Sequence, residues 1–239
     1  MGRPEPAGPA GTIVRGADAV ARVYERMLVP NFPAEELVAV AELIAAAEDG
    51  STTVRVVGTV EDPVAVAVTE SFPGSAATLL AYFAARADQR GRGVGTALLS
   101  GLLAGVAADP EASVVLAEVE HPHHHGPDEA HGDPEARLRF YGRLGARILD
   151  LPYFQPPVSA DAEAVYGMLL LVLDPPARLL RGDRLLPEAG VAEALESIMA
   201  EVDTGRFPVA AALEAARDPL GVRLLPVERL ADAAVALPR

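Results

Sequence analysis

Apolar side chains along this chain recur with two periods, and each switch between them marks an element. Residues 52–60 and 64–70 are β-branched runs separated by Glu61-Asp62-Pro63, which predicts a hairpin with turn chemistry between its strands. Ahead of it, a short strand at 12–15 leads to Asp18 as the cap of a helix whose apolar positions Val20, Val23, Tyr24, Met27 and Leu28 keep helical spacing. A second helical stripe, Leu37, Val40, Ala41, Ile44 and Ala47, ends at Asp49-Gly50. After the hairpin the pattern predicts a strand over 77–85, then a helix over 96–108 that buries Leu98, Leu99, Leu102, Leu103 and Val106 and stops at Asp109-Pro110. A strand over 114–120 follows. Asp133-Pro134 then supplies an N-cap and first helical position for a helix running through Leu144 and ended by Gly145. Strands over 147–154 and 166–173, parted by Pro156-Pro157, complete an α/β order without internal repeats. From 175 onward, stripes such as Val191, Leu195, Ile198, Met199 and Val202 predict a helical extension, 175–239.

Composition narrows the class. With 239 residues, half of them hydrophobic, the chain can bury a substantial core and suits one enzyme domain plus an appendage. The absence of cysteine excludes a disulfide framework, a thiol nucleophile and thiolate metal sites, and is compatible with a cytoplasmic setting. Residues 1–11 are rich in Pro, Gly and Ala without an apolar h-region, which predicts a disordered start and no secretory signal. The longest apolar run, near 168–173, is far shorter than the roughly 20 residues a membrane helix needs, so no membrane partner is expected. The formal net charge of −14 and unclustered arginines argue against nucleic acid.

The segment Ala87-Asp88-Gln89-Arg90-Gly91-Arg92-Gly93-Val94-Gly95-Thr96-Ala97-Leu98-Leu99 sits where a strand pattern gives way to a helix pattern. Glycines at 91, 93 and 95 remove each Cβ that would hold a ligand off the backbone, so successive N–H groups can converge on an anion at a helix N-terminus. Arg90 and Arg92 add planar cationic donors. A Walker loop needs a lysine, and the chain has none; the glycine spacing also misses the G-x-G-x-x-G of dinucleotide folds.

The run from Arg90 to Gly95, R-x-x-G-x-G followed by Thr96-Ala97-Leu98-Leu99, resembles the coenzyme A loop of the GNAT superfamily of acyl-CoA-dependent N-acetyltransferases. A second cluster, Phe140-Tyr141-Gly142-Arg143-Leu144-Gly145, is similar to the F-Y-x-x-x-G that the superfamily carries after that loop. With Glu118-Val119-Glu120 before it and Leu151-Pro152-Tyr153-Phe154-Gln155-Pro156 after it, the segment resembles a bacterial GNAT subgroup of unsettled substrate. The resemblance covers residues 12–174 and implies the GNAT fold, a mixed central sheet flanked by helices, with 175–239 outside the pattern. It further implies acetyl-CoA as acyl donor and no metal. The diphosphate would be held by the amides of Gly91, Arg92, Gly93, Val94, Gly95 and Thr96, and Ala85 at the strand end would pair with the pantetheine amide. Tyr141 matches the tyrosine that faces the CoA sulfur, whereas the usual asparagine after the next strand is missing, because Glu120 runs into His121-Pro122.

Acetyl transfer to an amine sets chemical requirements of its own. An alkylammonium with pKa about 10.4 must lose a proton before it can attack a thioester, which calls for a carboxylate or a water relay. Glu120, with Glu118 as second choice, alternates onto one strand face and supplies that base. A thiolate of pKa about 8.5 leaves, and a phenol of pKa about 10 at Tyr141 can protonate it. Arg137, one turn before Tyr141, shares its face and is placed to reach a phosphate or to orient Glu120. Tyr153 and Gln155 are candidates to line the acceptor pocket. His121, His123, His124, His125 and His131 lie in a Gly, Pro and Asp-rich composition without ligand spacing, which predicts a mobile solvated loop and no metal site. The expected acceptor is a small-molecule or peptide amine. A protein lysine or N-terminal acetyltransferase and a non-catalytic acyl-CoA-binding module are the alternatives. The extension could cover the acceptor site, form a homodimer or bind a partner.

Overall fold

The computed structural model describes residues 11–108, 114–127, 132–157, 163–200, 202 and 208–238. The Asp109-Pro110 stop, His131 and most of the N-terminal segment therefore lie outside the described residues. The chain divides into two compact units, Met1–Glu70 with Ala81–Ala108, and Ser71–Leu80 with Asp109–Arg239.

In the first unit, strand β1 (Thr12–Ile13) is followed by helix α1 (Ala17–Val23), which widens into a π turn over Tyr24–Leu28. Gly16, at φ 88°, holds the N-cap position without a side-chain bond, so Asp18 is not the cap but an acid in the first turn, where it meets the positive end of the helix. Helix α2 (Val40–Asp49) ends at Gly50 in the left-handed region, φ 87°, which spares the chain a Cβ clash at the stop. It begins at Val40 and not at the Leu37 where its stripe starts. The buried Tyr82 hydroxyl accepts from Val38 N–H at 3.1 Å and donates to the Glu36 carbonyl at 2.8 Å, while the Tyr24 hydroxyl donates to Val38 O at 2.9 Å. Those bonds tie the backbone ahead of α2 in an extended form that a helix would break. Burial pushes the Tyr82 phenol up to about 12.

Strands β2 (Thr52–Gly58) and β3 (Pro63–Ser71) form the expected antiparallel hairpin, Val54 opposite Val68 and Val56 opposite Val66. β1 pairs antiparallel with β2. Strand β4 (Ala77–Ala85) belongs to this unit through residues 81–85, and the Arg86 N–H donates to Val64 O at 2.9 Å beside β3. Helix α3 (Val94–Ala108) completes the unit. Val20, Val23, Met27, Leu28, Leu43 and Val54 are central to its core.

In the second unit, residues 77–80 of β4 run parallel to β5 (Val114–Glu120), Ala77 opposite Val114. Helix α4 (Pro134–Arg143) starts as expected, the Asp133 side chain accepting from Glu135 N–H at 2.9 Å. The run over 147–154 is a strand only in β6 (Arg147–Leu149). Tyr153 and Gln155 instead form isolated bridges to Val235 and Val165. Strand β7 (Met168–Leu173), every residue buried, lies antiparallel between β5 and β6. Beyond residue 175 the chain is not simply helical. It forms strands β8 (Leu180–Arg181) and β9 (Arg184–Leu185), helices α5 (Val191–Ile198) and α6 (Val209–Ala216), and strand β10 (Val222–Pro226). β10 pairs with β6, Leu224 opposite Leu149, and with β9. A β6 of three residues would otherwise expose an unpaired edge, and β10 satisfies it. Leu149, Leu170 and Val172 share one core with Ala194, Leu195 and Leu224 from this segment.

Candidate functional site

The glycine loop is built by the first unit alone. β4 ends at Ala85, a 3-10 turn spans Ala87–Gln89, and α3 begins at Val94. Gly91 and Gly93 have φ values of 76° and 80°, a region that costs an ordinary residue roughly 1–2 kcal/mol. A Cβ built on either would meet nothing within 4 Å, so the space above the loop is open. Among the described residues the N–H groups of Gly91, Gly93, Val94, Gly95 and Thr96 donate to no backbone carbonyl, whereas Arg92 N–H turns to Gln89 O at 3.3 Å. Unpaired amides at the positive end of a 15-residue helix form a donor set for an anion. A Cβ on Gly95 would stand 3.3 Å from Phe83 Cζ, so that glycine admits close helix-to-strand approach.

The two loop arginines differ. Arg92 is exposed, and its guanidinium has no hydrogen bond or ion pair among the described residues. Arg90 turns back, donating to Ala85 O at 3.3 Å and Asn31 Oδ1 at 2.9 Å, while Asn31 Nδ2 donates to Met27 O at 2.8 Å. Arg90 thus tethers the loop to the turn after α1, and it engages the carbonyl of the residue expected to pair with pantetheine.

The second unit gathers most of the other predicted side chains. Glu118 and Glu120 lie on β5 opposite Leu170 and Met168 of β7. The Tyr153 hydroxyl donates to Glu118 Oε1, and Gln155 Nε2 lies 3.4 Å from Glu118 Oε2. Tyr153 is fully enclosed, so it backs the carboxylate and offers no surface to line a pocket. Burial, reinforced by the charge of Glu118, pushes its phenol well above the usual range. Glu120, with its side chain 14% exposed, receives Arg137 Nη2 on Oε2, which is the orienting contact rather than a phosphate contact. Arg137 Nε is buried without a hydrogen-bond partner. Tyr141 is buried on α4, and its hydroxyl makes no hydrogen bond among the described residues. Desolvation raises its phenol to about 12, against the opposing pull of Arg137.

The histidine segment departs from the mobile loop expected. Within residues 121–127, His121 is buried, its Nε2 3.2 Å from Leu230 O and its Nδ1 accepting from His123 N–H at 3.0 Å. His124 and His125 N–H groups both donate to His121 O, closing a tight turn. His125 then reaches Tyr166 O through Nε2 at 2.7 Å and faces Glu120 Oε1 through Nδ1 at 3.6 Å. Sequence gave no signal for this placement, since it depends on the turn folding back along β5.

No protein-family model matches the chain, and no curated protein matches it. Among solved structures it is similar to a protein of Bacteroides thetaiotaomicron described as an acetyltransferase from the GNAT family. The two are 22% identical with a TM-score of 0.58, over 77% of this chain and 93% of that one. This is the GNAT fold. A Desulfovibrio desulfuricans protein described as an acetyltransferase of the GNAT family is also similar, at 18% identity and TM-score 0.45, over 66% of this chain and 92% of that one.

The glycine loop leads into the start of α3, and Tyr141 lies on α4. At the end of β5, Glu120 is followed by the buried His121. Among the described residues no three His, Asp or Glu side chains are grouped to hold a metal ion, and no helix is long and apolar enough to cross a membrane.

Proposed function

We propose that the chain is an N-acetyltransferase that moves an acetyl group from acetyl-CoA to a primary amine of a small molecule or peptide by direct attack. The observation that carries this reading is the open loop in which the amides of Gly91, Gly93, Val94, Gly95 and Thr96 donate to no backbone carbonyl, with the Arg92 guanidinium unpaired among the described residues, in a chain of GNAT fold. A diphosphate has the charge and the acceptor oxygens such a loop would take.

In this reading Glu120, or Glu118 as second choice, removes a proton from the alkylammonium. The amine nitrogen attacks the thioester carbonyl and the C–N bond forms; the tetrahedral intermediate collapses with loss of the C–S bond, Tyr141 protonates the departing thiolate, and the second proton of the attacking nitrogen leaves it to restore the phenol, so that ammonium and acetyl-CoA give amide, free CoA thiol and the one proton held by Glu120. Arg137 holds Glu120 by Oε2, so the carboxylate keeps one orientation, while Oε1 faces His125 Nδ1 at 3.6 Å, beyond hydrogen-bond distance. Ala85 is the proposed backbone partner of pantetheine, and binding there would require Arg90 to share or release the Ala85 carbonyl.

The test is release of free thiol from acetyl-CoA in the presence of a panel of amines and peptides, alongside calorimetry of CoA binding. Turnover with at least one amine, and CoA binding lost in Gly93→Glu, is the expected result. CoA binding without turnover of any amine would leave a binding module, and absence of CoA binding by the wild-type protein would remove the reading altogether.

A further inference from the structure

We propose that His125 is a positioning residue that carries protons to and from Glu120. This rests on the acetyl-transfer reading with Glu120 as base. The two oxygens of the Glu120 carboxylate have separate partners: Oε2 receives Arg137, and Oε1 faces His125 Nδ1 at 3.6 Å. The tautomer of His125 follows from its other nitrogen. Nε2 lies 2.7 Å from the Tyr166 carbonyl, which can only accept, so Nε2 keeps its hydrogen. In the neutral ring Nδ1 is then a lone pair, and it faces Glu120. That nitrogen is where a second proton goes.

The turn that delivers His125 is firmly built. His121 anchors it on both ring nitrogens, and burial lowers its pKa so that it stays neutral and passive. Gly167, at φ 68°, lets the His125 ring lie against the chain, since a Cβ there would come within 3.0 Å of His125 Nε2. The ionisable and cationic groups around the pair are Glu120 on β5, Arg137 on α4, and His121, His123 and His124 in the turn itself. His125 is 26% exposed, which gives its ring a route to water.

The proton balance is simple. Glu120 takes one proton from the substrate ammonium, passes it from Oε1 to Nδ1 of His125, and regains its carboxylate form. The imidazolium keeps its Nε2–H on Tyr166 O and loses the Nδ1 proton to water. At 3.6 Å the hand-over needs a slight closure or one bridging water. Arg137 remains on Oε2 throughout and keeps the carboxylate from rotating. A ring that carries protons on both nitrogens can take no further proton from Oε1 and pairs with Glu120 instead, which blocks the relay.

The experiment compares pH–rate profiles of the full chain with those of His125→Gln, Glu120→Gln and the double variant. Gln keeps an N–H for Tyr166 O and removes the titrating nitrogen. The expected result is a fall in kcat of about 10-fold or more with KM for acetyl-CoA unchanged, and an acid limb that no longer follows a histidine. In Glu120→Gln, adding His125→Gln should lower turnover no further, because the ring acts only through that carboxylate. Wild-type activity with an unaltered profile in His125→Gln would overturn the relay alone. A further fall on adding His125→Gln to Glu120→Gln would also overturn it, since the ring would then act independently of Glu120. A wild-type protein that acetylates no amine would instead remove the acetyl-transfer reading, and the relay with it.

Discussion

A phenol in water ionises near pH 10, and Tyr141 is pushed up to about 12 because its side chain lies on the buried face of α4. Two consequences follow for its proposed role. The hydroxyl stays protonated across the range in which an acetyltransferase would be assayed, so it is always in donor form. It is also a weaker acid than the thiol it would protonate, so transfer to a free thiolate is uphill and must accompany C–S cleavage, where Arg137 offsets the developing phenolate. Tyr141→Phe should therefore lower kcat about 100-fold while leaving CoA affinity nearly unchanged, since the ring still packs beside Phe140 at a 5.3 Å centroid distance. No fall in rate between about pH 8 and 10 should come from this residue, because its ionisation lies higher. Steady-state kinetics over that range, with calorimetry of CoA binding, check both statements. Equal turnover in the Phe variant would remove the tyrosine from the chemistry.

At the scale of elements, the turn after β5 is held by a neutral histidine. Burial places the His121 pKa below that of an exposed imidazole, about 6.5, while Leu230 O and His123 N–H occupy its two nitrogens. The unfolded chain therefore binds the extra proton more readily. The stability His121 contributes is complete above about pH 6.5 and is lost as pH falls through its lowered folded value. His121→Asn should cost about 1–3 kcal/mol at pH 8, by leaving buried partners unmatched, and should flatten the decline in Tm between about pH 7 and 5. Thermal melts of both proteins at several pH values test this, and parallel declines would refute it. Such an element was not legible in the sequence, where the His, Gly and Pro content reads as loop, because what orders it is a carbonyl at residue 230. The same cause explains the late start of α2, set by Tyr82 far along the chain, and the shortened β6. Where local chemistry decides, expectation and structure coincide: β4 and β5 span the residues predicted, and Asp133 caps α4. The glycine loop was legible for that reason too, its donors being neighbours in sequence. The pairings of Glu118 with Tyr153 and of Glu120 with His125 are products of strand register and a folded-back turn.

At the scale of the whole molecule, the segment after residue 175 decides whether the second unit holds together. It covers the open edge of β6 with β10, places Ala194, Leu195 and Leu224 in the core, and supplies the Leu230 carbonyl to His121 and the Val235 bridge to Tyr153. Gly167 N–H also donates to Ala236 O at 2.9 Å, and Ala234 N–H to Asp150 at 2.9 Å. A chain ending at residue 174 would lose all of these together, exposing a buried apolar face and a strand edge of the kind that templates aggregation. Because the lost contacts back Glu118 and the histidine turn, the damage would reach the candidate catalytic side chains and not only the periphery. The shortened chain should therefore lack a sharp thermal transition and scatter light at concentrations where the full chain does not. A soluble fragment with a cooperative melt and unchanged acetyl transfer would show that the core of the second unit closes without β10, and would make the extension an appendage after all.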